Sequence, residues 1–192
     1  HIVSASITEK SRNMWFGRRL NGLNYVNWYT DDMPLTWTDW PDRPLFGSYS
    51  MANDDDSNAL FDNITSLLED EDEILWFAKG ETGEGLFRFD WRKGKLHNFL
   101  PSSVSPSEPV SDTLLHLVAG VDGKAIWSIS EGGFLHRFDK QTEQVDQFSS
   151  QNLPGLPASP RLLYGDDEQA LWVAGFTDAG MLTLSSLRSA TM

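Results

Sequence analysis

The residues that could do chemistry in this chain are few and scattered. Of the four histidines, His1, His97, His116 and His136, none forms a His-x-x-x-His pair or another local metal-ligand motif. Cysteine is absent, which removes thiolate nucleophiles, Cys-ligated zinc and disulfides. No Gly-x-Ser-x-Gly elbow, phosphate loop or dinucleotide fingerprint occurs. The stretch Gly80 to Gly85 reads as part of a β-hairpin, so no helix dipole follows it to hold a phosphate. Acidic runs at Asp54 to Asp56, Asp70 to Glu73 and Asp166 to Glu168 lack the ligand spacing of a calcium loop and read as solvated turns. His136 stands where an equivalent strand has Phe87 and reads as a structural polar substitution, while His116 reads as core. No catalytic residue, metal or cofactor is expected.

A binding surface is the stronger reading. Arg18, Arg19 and Asn21 fall in a turn after an apolar strand, and Lys79 and Glu131 occupy comparable turns further along. Trp40, with Trp37 before it, stands at the start of the longest insertion. An exposed Trp beside polar groups can stack on a sugar ring while its neighbours bond the hydroxyls. The ligand-binding candidates are therefore Arg18, Arg19, Asn21, Trp40, Lys79 and Glu131. The competing reading leaves the arginines solvated and packs Trp37 between sheets.

Composition narrows the partners. The 192 residues carry a net charge of −13, which disfavours nucleic acid and anionic membrane surfaces. No apolar run reaches the ~18 residues of a membrane span, and no signal peptide is visible. The chain starts at His1 without an initiator Met, so a processed form or an excised piece of a longer protein is expected. Aromatic residues make up 12% of the chain, a level that suits packed β-structure.

What must position any site is a repeat. An apolar-Trp pair recurs at Met14-Trp15, Leu75-Trp76, Ile126-Trp127 and Leu171-Trp172, at intervals at or above the ~40–50 residues of one propeller blade. In the second copy Ile64 to Leu68, Ile74 to Ala78, Leu86 to Asp90 and Lys95 to Leu100 read as four short strands joined by tight turns. The third repeats the order at Leu114 to Val118, Ala125 to Ser130, Leu135 to Asp139 and Val145 to Phe148. A second strand apolar on both faces is buried on both, as when twisted sheets stack around an axis. Trp15, Trp76, Trp127 and Trp172 are then wedges between blades. Asp90, Asp139 and Asn27 at strand ends are expected to bond the turn that follows.

The fold expected is all-β: a β-propeller of four-stranded antiparallel blades, with about four present. The blades lie at about 1–40, 63–100, 113–148 and 160–187, separated by insertions 41–62, 101–112 and 149–159. After Leu184 the chain looks too short and polar for a further strand. Exposed blade edges are avoided in nature, so the piece reads as part of a larger ring, completed by missing blades of a parent chain or by a homodimer, with a small closed four-bladed ring as the other outcome. Blade-to-blade connections, with the turns between second and third strands, are expected to line one rim.

Leu75-Trp76 followed by Gly85-Leu86-Phe87-Arg88-Phe89-Asp90, and Ile126-Trp127 followed by Gly133-Phe134-Leu135-His136-Arg137-Phe138-Asp139, resemble the two-component regulator propeller repeat. The resemblance covers nearly the whole chain outside the insertions; the fourth copy lacks Arg-Phe-Asp. It implies the periplasmic sensor region of a bacterial hybrid histidine kinase or diguanylate cyclase, anchored in the inner membrane. Such a region binds a small molecule or oligosaccharide and signals through domains outside this chain, without catalysis of its own. A protein-interaction scaffold is the alternative. A lyase or hydrolase resembling the streptogramin lyases would need His and Glu converging on a metal.

Overall fold

The computed structural model describes residues 2–7, 13–18, 23–27, 46–49, 63–80, 85–99, 113–120, 122–166 and 170–188. They form four antiparallel sheets, each a meander in chain order. The first sheet comprises β1 (Ile2–Ile7), β2 (Asn13–Arg18), β3 (Leu23–Asn27) and β4 (Phe46–Tyr49). The second comprises β5 (Ile64–Glu69), β6 (Leu75–Lys79), β7 (Leu86–Asp90) and β8 (Lys95–Phe99). The third comprises β9 (Leu114–Ala119), β10 (Ala125–Ser130), β11 (Leu135–Asp139) and β12 (Val145–Phe148). The fourth comprises β13 (Ser159–Gly165), β14 (Ala170–Phe176) and β15 (Leu182–Arg188). These are propeller blades. Their first strands pack in series, β1 on β5, β5 on β9 and β9 on β13.

Two segments differ from the sequence reading. The first blade takes its outer strand from Phe46–Tyr49, inside the stretch read as insertion 41–62. A four-residue strand amid prolines and a glycine carries too little alternation to announce itself. Residues 149–159 were read as a connection only, yet Leu153 and Leu156 from it are buried in the core between the third and fourth blades. Insertion 101–112 lies outside the described residues.

The second strands explain the stacking. Successive side chains on a strand point to opposite faces, and here both faces are apolar. Leu75 and Phe77 pack toward the first blade with Trp15 and Leu23. Trp76 and Ala78 pack toward the third blade with Leu114, Leu117 and Ile126. Trp127 and Ile129 in turn meet Leu163, Leu171 and Val173 of the fourth. In each case the Trp faces the next blade and its flanking apolar residues face the previous one. Trp15, Trp76 and Trp127 are at most 6% exposed.

Most polar groups that join the blades are paired; His136 is an exception described below. Asp70 Oδ1 accepts from the backbone N–H of Asp72 and Ile74, both at 3.0 Å, and closes the turn between β5 and β6. Its Oδ2 accepts from Trp76 Nε1 at 2.8 Å and from Lys140 Nζ of the third blade at 2.6 Å. The acidic run from Asp70 is thus not simply a solvated turn; Asp70 is buried because it clamps the wedge Trp. The fourth blade repeats the clamp, with Asp166 accepting from Ala170 N–H at 2.9 Å and Trp172 Nε1 at 2.6 Å. Trp15 Nε1 reaches instead into the second blade and donates to buried Glu69. Two further bonds stitch the second blade to the third: Thr65 Oγ1 donates to Leu114 O at 2.7 Å, and Leu117 N–H donates to Ser66 Oγ at 3.0 Å. At the far strand ends, Asp139 Oδ1 accepts from Gln141 and Thr142 N–H, and Asp90 from Lys93 N–H.

Removing one partner of a buried ion pair leaves the other charge uncompensated, at about 3–5 kcal/mol. Asp70→Ala is expected to destabilise the chain by about 3 kcal/mol, because it takes the buried acceptor from the Trp76 indole and from Lys140, which keeps only the exposed Asp72 at 3.8 Å. Trp76→Ala should cost about 3–5 kcal/mol through lost burial and the cavity left behind. Urea midpoints of the two variants check both values, and Asp166→Ala, at a part-exposed Trp, should cost less.

Candidate functional site

The turns between second and third strands and the blade-to-blade connections meet at one rim. Between the third and fourth blades they enclose a cleft of about 770 Å³. One wall is the turn Gly132-Gly133-Phe134, the floor is Gln147 to Asn152, and Ala158 and Asp178 face them. Each wall turn is built alike. Ser130 N–H donates to Phe134 O, and Ser130 Oγ accepts from Phe134 N–H. Thr177 does the same for Met181. Gly133 takes a positive φ of 88°, and an added Cβ would meet Ala158 O at 3.4 Å, so glycine keeps this wall tight.

The floor is pre-shaped by its own side chains. Asn152 Oδ1 accepts from Ser149 N–H at 2.7 Å, and its Nδ2 donates to Gln147 O. Phe148 is held by its ring stacked on Trp127, centroids 6.0 Å apart. Ser150 and Gln151 are left exposed at the mouth. The cleft therefore offers amides, hydroxyls, two phenyl rings and one carboxylate. Such a lining suits a neutral, hydroxyl-rich ligand better than an anion. Gln147 and Phe148 were read as the end of a strand and 149–152 as a connection expected to line a rim, but none was singled out as a site residue; the signal was the run of Gln, Ser and Asn after an aromatic.

The sequence candidates are distributed differently. Arg18 is the last residue of β2, and its side chain, with Arg19, Asn21 and Trp40, lies outside the described residues. Lys79 ends β6 rather than sitting in a turn; it is buried, with Nζ 5.7 Å from the centre of the Phe87 ring. Its aliphatic stem has apolar surface to cover there, which draws the residue inward. Glu131 is exposed and adjoins the Gly132 wall. Thr113 links these rims: its Oγ1 donates to Gly80 O, and its carbonyl accepts from Glu131 N–H.

A second, smaller cleft of about 260 Å³ lies at the opposite rim among Asp70, Asp72, Arg88, Lys124 and Lys140. Its carboxylates are spent on the joint between blades, Lys140 bridging Asp70 and Asp72. Among the described residues no group of His, Asp and Glu converges as a metal site would require. His116 is half-buried, and burial pushes its pKa below the ordinary value. His136 is fully buried between Phe134 and Phe138, and among the described residues neither ring nitrogen has a hydrogen-bond partner.

With the geometry in place, comparison with known proteins bears on the fold. No protein-family model and no curated protein matches the sequence. Solved structures do. The extracellular domain of the hybrid two-component system BT4673 of B. thetaiotaomicron is similar, with TM-score 0.59 and 15% identity over 100% of this chain. That of BT3049 gives 0.62 and 15% over 97%. YCF48 bound to D1 peptide gives 0.60 and 13% over 100% of this chain and 52% of its own. What is shared is the propeller fold. The chain spans 23% of the length of each of these two extracellular domains.

Burial pushes the His136 pKa down to about 4 from 6.5. The unfolded chain therefore takes up this proton first. Stability from His136 is complete above pH 6.5 and is lost as pH falls towards 4, by about 3 kcal/mol. Asp90 and Asp139, held low chiefly by bonds from Lys93 and Thr142, lose their contribution only below 3.8. His136→Phe should raise the urea midpoint at neutral pH and flatten its decline between pH 6.5 and 4. Room exists for the ring: Ser128 lies opposite His136, where Phe77 lies opposite Phe87.

Proposed function

We propose that this chain is the ligand-sensing propeller portion of a bacterial signal-transduction receptor, non-catalytic itself and signalling through domains outside it. The cleft between the third and fourth blades carries the reading, because it joins pre-shaped amide and hydroxyl groups to phenyl surface on a rigid scaffold. The ligand class is a neutral oligosaccharide or similar hydroxylated small molecule. Arg18, Arg19 and Asn21, between β2 and β3, would extend the surface along the first blade, with Glu131 bordering the cleft; Trp40 falls in sequence between β3 and β4 and is not part of that surface. The likeness to extracellular domains of two-component systems supports a receptor segment and a periplasmic location. Among the described residues no helix is long and apolar enough to cross a membrane.

A second reading, a scaffold that grips another polypeptide, is favoured by the likeness to a propeller solved with a peptide bound. A panel of neutral oligosaccharides, followed by thermal shift and calorimetry, separates the two. At least one sugar should raise the melting temperature. Gln151→Ala and Asp178→Ala should each weaken that sugar about tenfold, while Gln141→Ala on the opposite rim should not. No shift with any sugar, together with a stable protein recovered on the rim, would sink the sensor reading. Arg19→Ala should also weaken binding if the first blade shares the ligand.

A further inference from the structure

The Arg-Phe-Asp element occurs twice, and its two arginines are treated differently. Arg88 and Arg137 hold the same place, each paired across the sheet with the wedge Trp of its own blade. Arg137 is closed off by carboxylates, Nη2 lying 3.3 Å from Asp139 and Nη1 3.4 Å from Asp146. Arg88 has neither. Asp90 is taken by Lys93 at 2.8 Å, and the residue paired with Arg88 on the outer strand is His97, where Arg137 has Asp146. Among the described residues the Arg88 guanidinium makes no hydrogen bond or ion pair. It is half-buried, 5.9 Å from the centre of the Trp76 ring. A guanidinium held partly out of water with its five donors unanswered is costly unless something supplies acceptors.

Arg88 lines the smaller cleft, together with Lys124, Lys140 and Gln141 of the third blade. The turn carrying Lys124 is fixed on both sides of that residue. Its N–H donates to Asp122 Oδ1 at 3.0 Å, and its carbonyl accepts from Lys140 N–H at 2.9 Å. Its ammonium is exposed and has no ion pair among the described residues. The two carboxylates of the cleft do not answer these cations. Asp70 is saturated by two backbone N–H groups, the Trp76 indole and Lys140, and the Asp72 side chain is 78% exposed. In a chain of net charge −13, the lining thus sets three cations against two carboxylates, with Arg88 and Lys124 unpaired.

We propose that this cleft between the second and third blades binds a small oxyanion, the carboxylate, sulfate or phosphate group of a solute. Arg88 supplies a planar fork of N–H donors, pre-set by its place over Trp76, and such forks match oxyanions bidentately. Lys124 adds a second charge and Gln141 an amide. An occupant holds Arg88 of one blade and Lys124 of the next at once, and so tightens the joint that Lys140 and Asp70 already tie. Glu71 opposes it from the mouth, its Oε2 3.5 Å from where a Cβ on Gly123 would sit. The site is separate from the amide-lined cleft and does not depend on what binds there.

The test is thermal melting of the 192-residue chain at constant ionic strength, with chloride replaced in turn by sulfate, phosphate or glucuronate. At least one of them should raise the melting temperature saturably. Sulfate or phosphate alone marks a tetrahedral ligand, and glucuronate alone a carboxylate. Arg88→Gln should weaken that anion at least about tenfold. Lys124→Gln, at an exposed site, should do the same while keeping the wild-type melting temperature in chloride. His97→Asp gives Arg88 the carboxylate that Arg137 has and should abolish the shift. Arg161→Gln, at an exposed arginine of the fourth blade, should leave the shift intact, and Glu71→Gln should strengthen it. A rise that never saturates, or one that Lys124→Gln and His97→Asp leave unchanged, is a general salt effect and overturns the proposal. So does the absence of a shift with all three anions.

Discussion

The structure rests on strands that are apolar on both faces. A strand at the surface of a sheet packed on one side can alternate polar and apolar residues; one sandwiched between two sheets cannot. In this chain β6 and β10 meet that demand by dividing their faces between two neighbours, Trp to one side and Leu, Ile or Phe to the other. Blade order, blade spacing and the direction of the arc all follow from that division. Each boundary is closed by a large ring, and burial of one such side chain is worth several kcal/mol.

Burying a Trp brings its indole N–H along, and that donor needs an acceptor. The clamp by Asp70 and Asp166 answers this need at the turn preceding the strand, so one carboxylate both forms the turn and satisfies the ring. Lys140 uses the same carboxylate to tie the second blade to the third. The clamps occupy one rim with structural charge. The opposite rim, between the third and fourth blades, is left with amides, hydroxyls and the Asp178 carboxylate at an open cleft. The clamps and this open cleft are in this way assigned to different ends of the strands.

The blades were legible in the sequence because their signals are local: an apolar run around Trp, a glycine turn, then Arg-Phe-Asp within about 15 residues. The Asp-to-Trp spacing shared by Asp70 with Trp76 and Asp166 with Trp172 was equally visible, but an acidic run ordinarily means solvent, and only docking reveals its burial. Leu153 and Leu156 were hidden among prolines in a connection, where no periodicity marks an inward face. The cleft was the least legible element. Its walls come from three turns whose proximity depends on how two blades pack, and that relation has no spacing in sequence. Lys79 shows the reverse error: its type suggested solvent, while its strand position places it over an aromatic ring.

Packing in series, each blade touching only the blades beside it, also governs how this molecule comes apart. Where repeats interact solely with neighbours, stability behaves as a sum of unit and junction energies, and cooperativity spreads only as far as the junctions are strong. The second and third blades have neighbours on both sides and share the Lys140 and Asp70 tie, so they form the last region to open. Among the described residues the first and fourth blades are each held by one junction, and a blade so held fluctuates more freely. Amide protection should therefore grade along the arc, highest in its middle and decaying outward, with loss of order entering from the ends.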